Sequence, residues 1–84
     1  MLYLETDPEG DEVYVHLDAD GVVLLRRTLD SLEAEPKQPE HDHLFTEAWG
    51  GHELEAELTP GRRDAGQEAN RAVGHVKLYY WPRV

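Results

Sequence analysis

The sequence predicts an α+β domain in which one amphipathic helix packs on one face of a mostly antiparallel sheet of four or five strands. Apolar residues alternate with polar ones in short runs toward both ends of the chain, and they recur every three or four positions in one segment between those runs. With 84 residues the chain allows a single domain with one small core. It contains no cysteine, so neither a disulfide nor a thiolate metal site can add to that core.

Alternation predicts two strands before the helix, at residues 2–5 and 12–18. In the second strand Val13, Val15 and Leu17 share one face. The Asp-Pro and Glu-Gly pairs between the two strands form turns readily. The two strands can therefore pair as a hairpin.

A helix is predicted over residues 20–34. Either Asp18 or Asp20 can cap its first turn, and Pro36 ends it. A single apolar stripe along this helix consists of Val22, Leu25, Leu29 and Leu32.

The second half of the chain begins with a polar linker that contains two prolines. The predicted segments after it are a strand at 41–46, an uncertain element at 52–58, a mobile loop at 59–71 and a strand at 73–81. Trp49, Gly50 and Gly51 form a corner, because consecutive glycines allow backbone angles closed to other residues. The element at 52–58 suits either a helical turn or a strand, and the tight turn before it favours a strand.

One helix covers one sheet face, and alternation then sorts the strand residues into two sets. The set predicted to face the helix is Leu2, Leu4, Val13, Val15, Leu17, Leu44, Val76, Leu78 and Tyr80. The set predicted on the uncovered face is Tyr3, Tyr14, His16, His43, Phe45, His75, Lys77, Tyr79 and Trp81.

The uncovered set is rich in aromatic and histidine side chains, where threonine, lysine and glutamate are usual. Aromatic residues are enriched at protein interfaces, so we interpret this face as a partner-binding surface. Its candidate residues are Tyr14, His16, His43, Phe45, Trp49, His75, Lys77, Tyr79 and Trp81. Two structural alternatives stay open: cross-strand aromatic pairs can simply stabilise the sheet, or residues 48–71 can fold over this face as a second core.

The net charge of −10 repels phosphate backbones and favours a cationic partner, although it also keeps a small domain soluble. Residues 1–61 hold three basic and sixteen acidic residues, a net −13, whereas residues 62–84 carry a net +3. Neither a signal peptide nor an apolar run of membrane-spanning length is present, which predicts a soluble cytoplasmic protein that binds neither nucleic acid nor membrane.

Four histidines are candidate metal ligands, because His41 and His43 lie two apart on one predicted strand and His52 and His75 can approach them. Their spacing matches no known zinc signature, so we favour the prediction of no metal and no cofactor. No nucleophile motif or phosphate-binding loop is present, and no pair of carboxylates stands out among so many. Catalysis is therefore not expected.

The C-terminal half resembles a family of bacterial immunity proteins against polymorphic toxins, the family called immunity protein thirty-two. The resemblance covers residues 41–81: a His-x-His-Leu run, then Trp-Gly-Gly-x-Glu-Leu, then a hydrophobic end strand containing histidine. The matching positions are His41, His43, Leu44, Trp49, Gly50, Gly51, Glu53, Leu54, His75, Lys77 and Leu78. The resemblance implies a small cytoplasmic protein that binds and neutralises a cognate toxin without catalysis of its own, and an acidic surface would suit a basic nuclease.

Two other functions remain open on the residues alone. One is a generic interaction domain that buries its aromatic face in a homodimer. The other, less favoured, is a metal-binding domain built on the four histidines.

Overall fold

The computed structural model describes residues 1–34, 40–58 and 66–81. Its elements in chain order are β1 (Leu2–Thr6), β2 (Val13–Leu17), α1 (Ala19–Glu33), β3 (Glu40–Phe45), a 3₁₀ turn (Glu47–Trp49), β4 (Arg71–Ala72) and β5 (His75–Tyr80). The predicted α+β class is confirmed, with one helix packed on antiparallel strands. The strands are divided between a three-stranded sheet, ordered β2–β1–β4, and a two-stranded sheet, β3–β5, where we predicted a single sheet.

Short backbone hydrogen bonds join the two sheets. The chain leaves β4 and enters β5 at Val73, whose N–H donates to the Leu4 carbonyl at 2.8 Å, and Gly74, whose carbonyl accepts from Thr46 at 2.9 Å. Leu54 donates to the Phe45 carbonyl at 3.0 Å, and the next residue donates to β1. The uncertain element at 52–58 therefore forms bends that bridge the sheets, and it contains neither helix nor strand.

The predicted loop at 59–71 is only partly described, since residues 59–65 lie outside the described ranges. Residues 66–70 form turns, and β4 follows them directly. No described helix is long and apolar enough to cross a membrane.

Helix α1 begins one residue earlier than predicted. Asp18 is its N-cap and accepts a hydrogen bond from the Gly21 N–H at 2.9 Å, while the same carboxylate contacts the amino group of Met1. A Cβ atom at Gly21 would lie 1.9 Å from the Met1 carbonyl oxygen, so glycine lets the first helical turn approach the start of β1. Local capping and this close approach fix where the helix starts.

The buried stripe of α1 is rotated from the predicted one. Thr28 is buried and Leu29 is exposed, which corrects the prediction that Leu29 faces the core. Gly21, Leu25, Thr28 and Leu32 follow a four–three–four spacing that holds one helical face. Thr28 fits that face because its hydroxyl donates to the Leu24 carbonyl at 3.0 Å and so leaves no buried donor unsatisfied.

The core lies where α1 crosses the line between the two sheets. Leu2 of β1, Leu44 of β3 and Leu54 of the bridging segment form its buried centre. The half-buried residues packed around this centre are Leu4, Leu24, Leu25, Val76 and Leu78. Leu54 in the centre and Leu24 around it were not in the predicted core.

The aliphatic face of β2 is exposed, which corrects the prediction that Val13, Val15 and Leu17 lie in the core. Their exposed fractions are 62%, 48% and 39%, and they fall toward the start of α1. A helix is about 10 Å across and strands lie about 4.8 Å apart, so one helix shields about two strands. Helix α1 contacts β1, β2, β3 and β5, which is more strands than one helix can shield, and the exposure of the β2 row is lowest at Leu17, next to the first turn of the helix.

The opposite face of β1 is buried instead. Tyr3, predicted on the uncovered face, is 3% exposed, and Glu5 beside it is fully buried. Ala56, Leu58 and Asn70 surround a depression of about 360 Å³ beside the Tyr3 ring. At β1, residues from the 48–71 segment therefore cover part of the face that was predicted to be uncovered, as one of the two structural alternatives expects.

Candidate protein-binding face

The outer face of the β3–β5 pair carries the side chains predicted for it. Phe45 pairs with His75 and His43 pairs with Lys77, while Leu44 pairs with Val76 on the side that faces the core. Because successive residues of a strand point to opposite sides, this register keeps the aliphatic and aromatic residues apart. We call the outer surface the aromatic face and define it as His43, Phe45, Trp49, His75, Lys77, Tyr79 and Trp81.

His75 is the centre of a ring cluster in this face. Its imidazole lies 4.6 Å from the Phe45 ring, 5.0 Å from the His43 ring and 5.1 Å from the Trp49 ring, between centroids. The His43 and Phe45 rings are nearly parallel at 5.3 Å. These separations are those of packed aromatic pairs, so the cluster is a preformed surface in which little side-chain freedom remains.

The two histidines of the cluster are hydrogen-bonded to each other. Nδ1 of His43 lies 2.8 Å from Nε2 of His75. A hydrogen bond between two ring nitrogens needs a proton on one and a lone pair on the other. One of the two ring nitrogens therefore donates and the other accepts, which fixes the two imidazoles against each other.

The far end of the aromatic face is more open. Tyr79 and Trp81 stack with centroids 6.2 Å apart, and Nζ of Lys77 lies 5.4 Å from the Tyr79 ring centroid. Trp49, Tyr79 and Trp81 are 61%, 52% and 56% exposed. Tyrosine and tryptophan are enriched at protein interfaces, so a group of exposed rings such as this one is typical of contact surfaces.

The Trp49-Gly50-Gly51 corner lies at the end of the 3₁₀ turn Glu47–Trp49, whose C-cap is the left-handed Gly50. Gly50 has φ of 90°, and its N–H donates to the Glu47 carbonyl at 2.9 Å. A Cβ atom on Gly51 would lie 2.5 Å from the Phe45 Cβ, and one on Gly74 would lie 2.6 Å from Trp49 Nε1. Two of these glycines thus let β3 and the Trp49 ring approach backbone closely.

Glu53 ties the corner to β3. Its carboxylate accepts from the His52 N–H at 3.0 Å and from the Phe45 N–H at 3.2 Å. These two backbone hydrogen bonds, the one from His52 foremost, lower the pKa of the Glu53 carboxyl below its ordinary value of 4.5. The Trp-Gly-Gly-x-Glu-Leu motif therefore builds a turn, with Leu54 entering the core directly after Glu53.

Tyr14 and His16 do not join the aromatic face. They belong to β2 in the other sheet, whereas the remaining candidates lie on β3, on β5 and beside them. The Tyr14 hydroxyl donates to Glu12 at 3.0 Å, and that hydrogen bond is the main cause of a raised Tyr14 pKa. Alternation places these residues on one continuous face only if all the strands form one sheet, and here they form two.

His16 has a partner that sequence reasoning missed. Its Nε2 lies 2.8 Å from Oε2 of Glu5, whose side chain is fully buried while that of His16 is 21% exposed. Tyr3 stands beside them, with its ring centroid 5.8 Å from the imidazole. Glu5 shares the Tyr3 side of β1 and is a diagonal cross-strand neighbour of His16, and this placement follows once the hairpin register is known.

Of the four histidines predicted as candidate metal ligands, the structure brings two together. His43 and His75 are together, whereas His52 is exposed and the His41 side chain lies outside the described part of the chain. Among the described residues no group of three or more His, Asp or Glu could hold a metal ion. Zinc requires three or four such ligands, so the described side chains assemble two of them at most.

Comparisons with known proteins returned nothing: no family model, no curated protein and no solved structure matches the chain.

Proposed function

We propose that this protein binds and neutralises a cognate protein toxin in a 1:1 complex, without catalysis of its own. The observation that carries the proposal is the aromatic face, on which Trp49, Tyr79 and Trp81 are more than half exposed around a packed ring cluster. The resemblance of residues 41–81 to toxin immunity proteins points to the same class of partner.

The aromatic face has the features of a contact surface with low ordering cost. Rings that are already packed, as those around His75 are, lose little freedom on binding, so more of the contact energy is retained as affinity. Tyrosine and tryptophan are also the residues that most often dominate binding energy. The half-buried cluster would form the centre of the contact, with Tyr79 and Trp81 as anchors.

The charge supports a basic partner. A chain of net charge −10 attracts a cationic protein over a distance, which raises the association rate at low ionic strength. A basic nuclease is one such partner, because its nucleic-acid cleft carries the complementary charge. Affinity should accordingly fall as salt is added, mainly through slower association.

The test uses the protein encoded by a toxin-like gene adjacent to the gene for this chain. Purified together, the two should elute as a 1:1 complex, and the toxin's activity should be lost in proportion to the complex formed. Trp81→Ala and Tyr79→Ala should each raise Kd by about tenfold or more. Val23→Ala, at a similarly exposed position on α1, should leave Kd unchanged.

Two results would overturn the proposal. One is the absence of any complex with the neighbouring gene product. The other is sedimentation showing that the aromatic face is buried in a homodimer, with Trp81→Ala producing monomers; the chain would then be a self-associating domain.

A further inference from the structure

We infer that the outer edge of β2 is a second docking site, which receives an extended segment of a cationic protein partner as an added strand. The site is separate from the aromatic face, because β2 and the aromatic face belong to different sheets. The inference rests on the proposed function only in that both expect a basic protein partner.

The first support is the position of β2. In the described part of the chain β2 pairs with β1 alone, and the sheet order β2–β1–β4 puts it at the edge. Half of the N–H and C=O groups of an edge strand point away from the sheet and can pair with another chain. The five residues Val13–Leu17 offer the length of an ordinary strand.

The second support is an exposed aliphatic row on this strand. Val13, Val15 and Leu17 lie on one side of β2, all more than a third exposed, so an added strand would find three apolar positions at alternate residues. Strand addition uses this combination: main-chain hydrogen bonds provide affinity, and alternate side chains provide specificity.

The third support is that the residues of β2 themselves include none of the features that usually protect an edge strand. Natural edges carry lysine, proline or a bulge that discourages pairing with other chains. The Val-Tyr-Val-His-Leu sequence of β2 contains neither residue, and its pairing with β1 runs without interruption from Val13 to Leu17. An apolar edge strand without these features is consistent with a regular occupant.

Charge favours a cationic partner over a second copy of this chain as the occupant of the β2 edge. Residues 1–25 contain seven acidic residues and no lysine or arginine, and acids flank both ends of β2. If two copies paired antiparallel about Val15, Glu12 of each would lie opposite Asp18 of the other. Like charges opposite one another on paired strands are destabilising. A strand with alternating apolar and basic residues has the complementary chemistry.

The test uses the full chain, labelled with ¹⁵N, and an acetylated, amidated peptide in which lysine and valine alternate. Backbone amide hydrogen exchange is measured by NMR with and without the peptide. The outward-pointing amides of β2 should exchange at least about tenfold more slowly when peptide is bound, because they become hydrogen-bonded. Val15→Lys should abolish this protection, and Val13→Lys, at the most exposed position of the row, provides a second variant should Val15→Lys fail to fold.

Three controls separate strand addition from other contacts. Val23→Lys adds the same charge at an exposed position of α1 and should keep the protection. A peptide with proline in place of its central valine should protect nothing, since proline removes a donor and disrupts pairing. Trp81→Ala should keep the protection, so a failure of the proposed toxin binding and a failure of this inference give different results.

The inference is overturned if the lysine–valine peptide leaves β2 amides unprotected or if the proline peptide protects them equally, which would indicate simple adsorption by charge. It is also overturned if β2 becomes protected without peptide as protein concentration rises. The occupant would in that case be a second copy of this chain.

Discussion

The two sheets show the same alternation of residues but use it differently. In β3–β5 the aliphatic set faces the core and the aromatic set faces outward. In β2–β1 the aliphatic row of β2 is exposed, while Tyr3 and Glu5 on the opposite side of β1 are buried. Alternation tells which side chains share a face, but which face is covered depends on where the helix and the bridging segment lie.

The comparison is tested most strongly by truncating one predicted core residue in each sheet. Leu44→Ala should lower the free energy of unfolding by about 3 to 4 kcal/mol, because it opens a cavity at the centre of the core. Val15→Ala should lower it by less than about 1 kcal/mol, because the Val15 side chain is about half exposed. Urea unfolding followed by circular dichroism measures both; equal losses would show that the face of β2 is covered after all.

The next largest effect on stability is expected at the hydrogen-bonded pair of Glu5 and His16. His16→Leu should lower the free energy of unfolding by about 2 kcal/mol, because the buried Glu5 side chain loses its partner. The cost is limited because the His16 side chain is itself partly exposed. His52→Leu, at an exposed histidine, should change it by less than about 0.5 kcal/mol.

The double variant Glu5→Leu/His16→Leu sharpens this result. Apolar residues that replace both members of a buried pair often restore stability, so the double variant should be more stable than His16→Leu alone. A double variant as unstable as the sum of both single ones would mean that Glu5 and His16 act independently.

The Trp49-Gly50-Gly51 corner beside the β3–β5 sheet should be destabilised by the addition of a single methyl group. Gly51→Ala should cost about 2 kcal/mol, because the new Cβ would lie 2.5 Å from the Phe45 Cβ and force β3 to shift. Gly50→Ala has open space and should cost about 1 kcal/mol for its left-handed backbone alone. Thermal unfolding ranks the pair, and the reverse order would contradict the close approach of Gly51 to β3.

The smallest effect concerns pH. Because the folded-state pKa of Glu53 is lowered, its contribution to stability is complete above the ordinary value of 4.5 and is lost as pH falls through the lowered pKa. Glu53→Gln should cost about 1 kcal/mol at neutral pH and should weaken the loss of stability below pH 4.5. Glu55→Gln, at an exposed side chain, serves as the control, and an equal change in its pH profile would contradict the role of Glu53.

The Trp-Gly-Gly-x-Glu-Leu motif has a structural explanation in this fold. Gly50 adopts a left-handed backbone, and Gly51 allows a close approach to Phe45 of β3. Glu53 accepts two backbone hydrogen bonds, and the leucine after it packs in the core. Trp49 is the one large side chain of the motif that is mostly exposed. The motif therefore mostly meets the demands of a turn, and the binding proposal depends more on Trp49 and on the β5 aromatics.

Part of the candidate site could be predicted because it depends on local periodicity. The residues of β3 and β5 that point outward follow from alternation alone, since both strands are short, regular and directly paired. Alternation places Tyr14 and His16 with them only in a single sheet, and β2 belongs to the other sheet. The break between the sheets arises at Val73 and Gly74, where one chain segment hydrogen-bonds to both, and no local sequence pattern announces such a crossing.

The sequence by itself determined the α+β class, the helix with an aspartate cap at its start, the strands β1, β2, β3 and β5, and the two-sided character of β3 and β5, because each depends on interactions within a few residues. Only the tertiary structure decided that β2 shows its aliphatic row to solvent, that Glu5 is buried against His16, and that Leu54 completes the core. Those outcomes depend on which surfaces one narrow helix and one bridging segment can cover, and coverage is a property of the assembled chain.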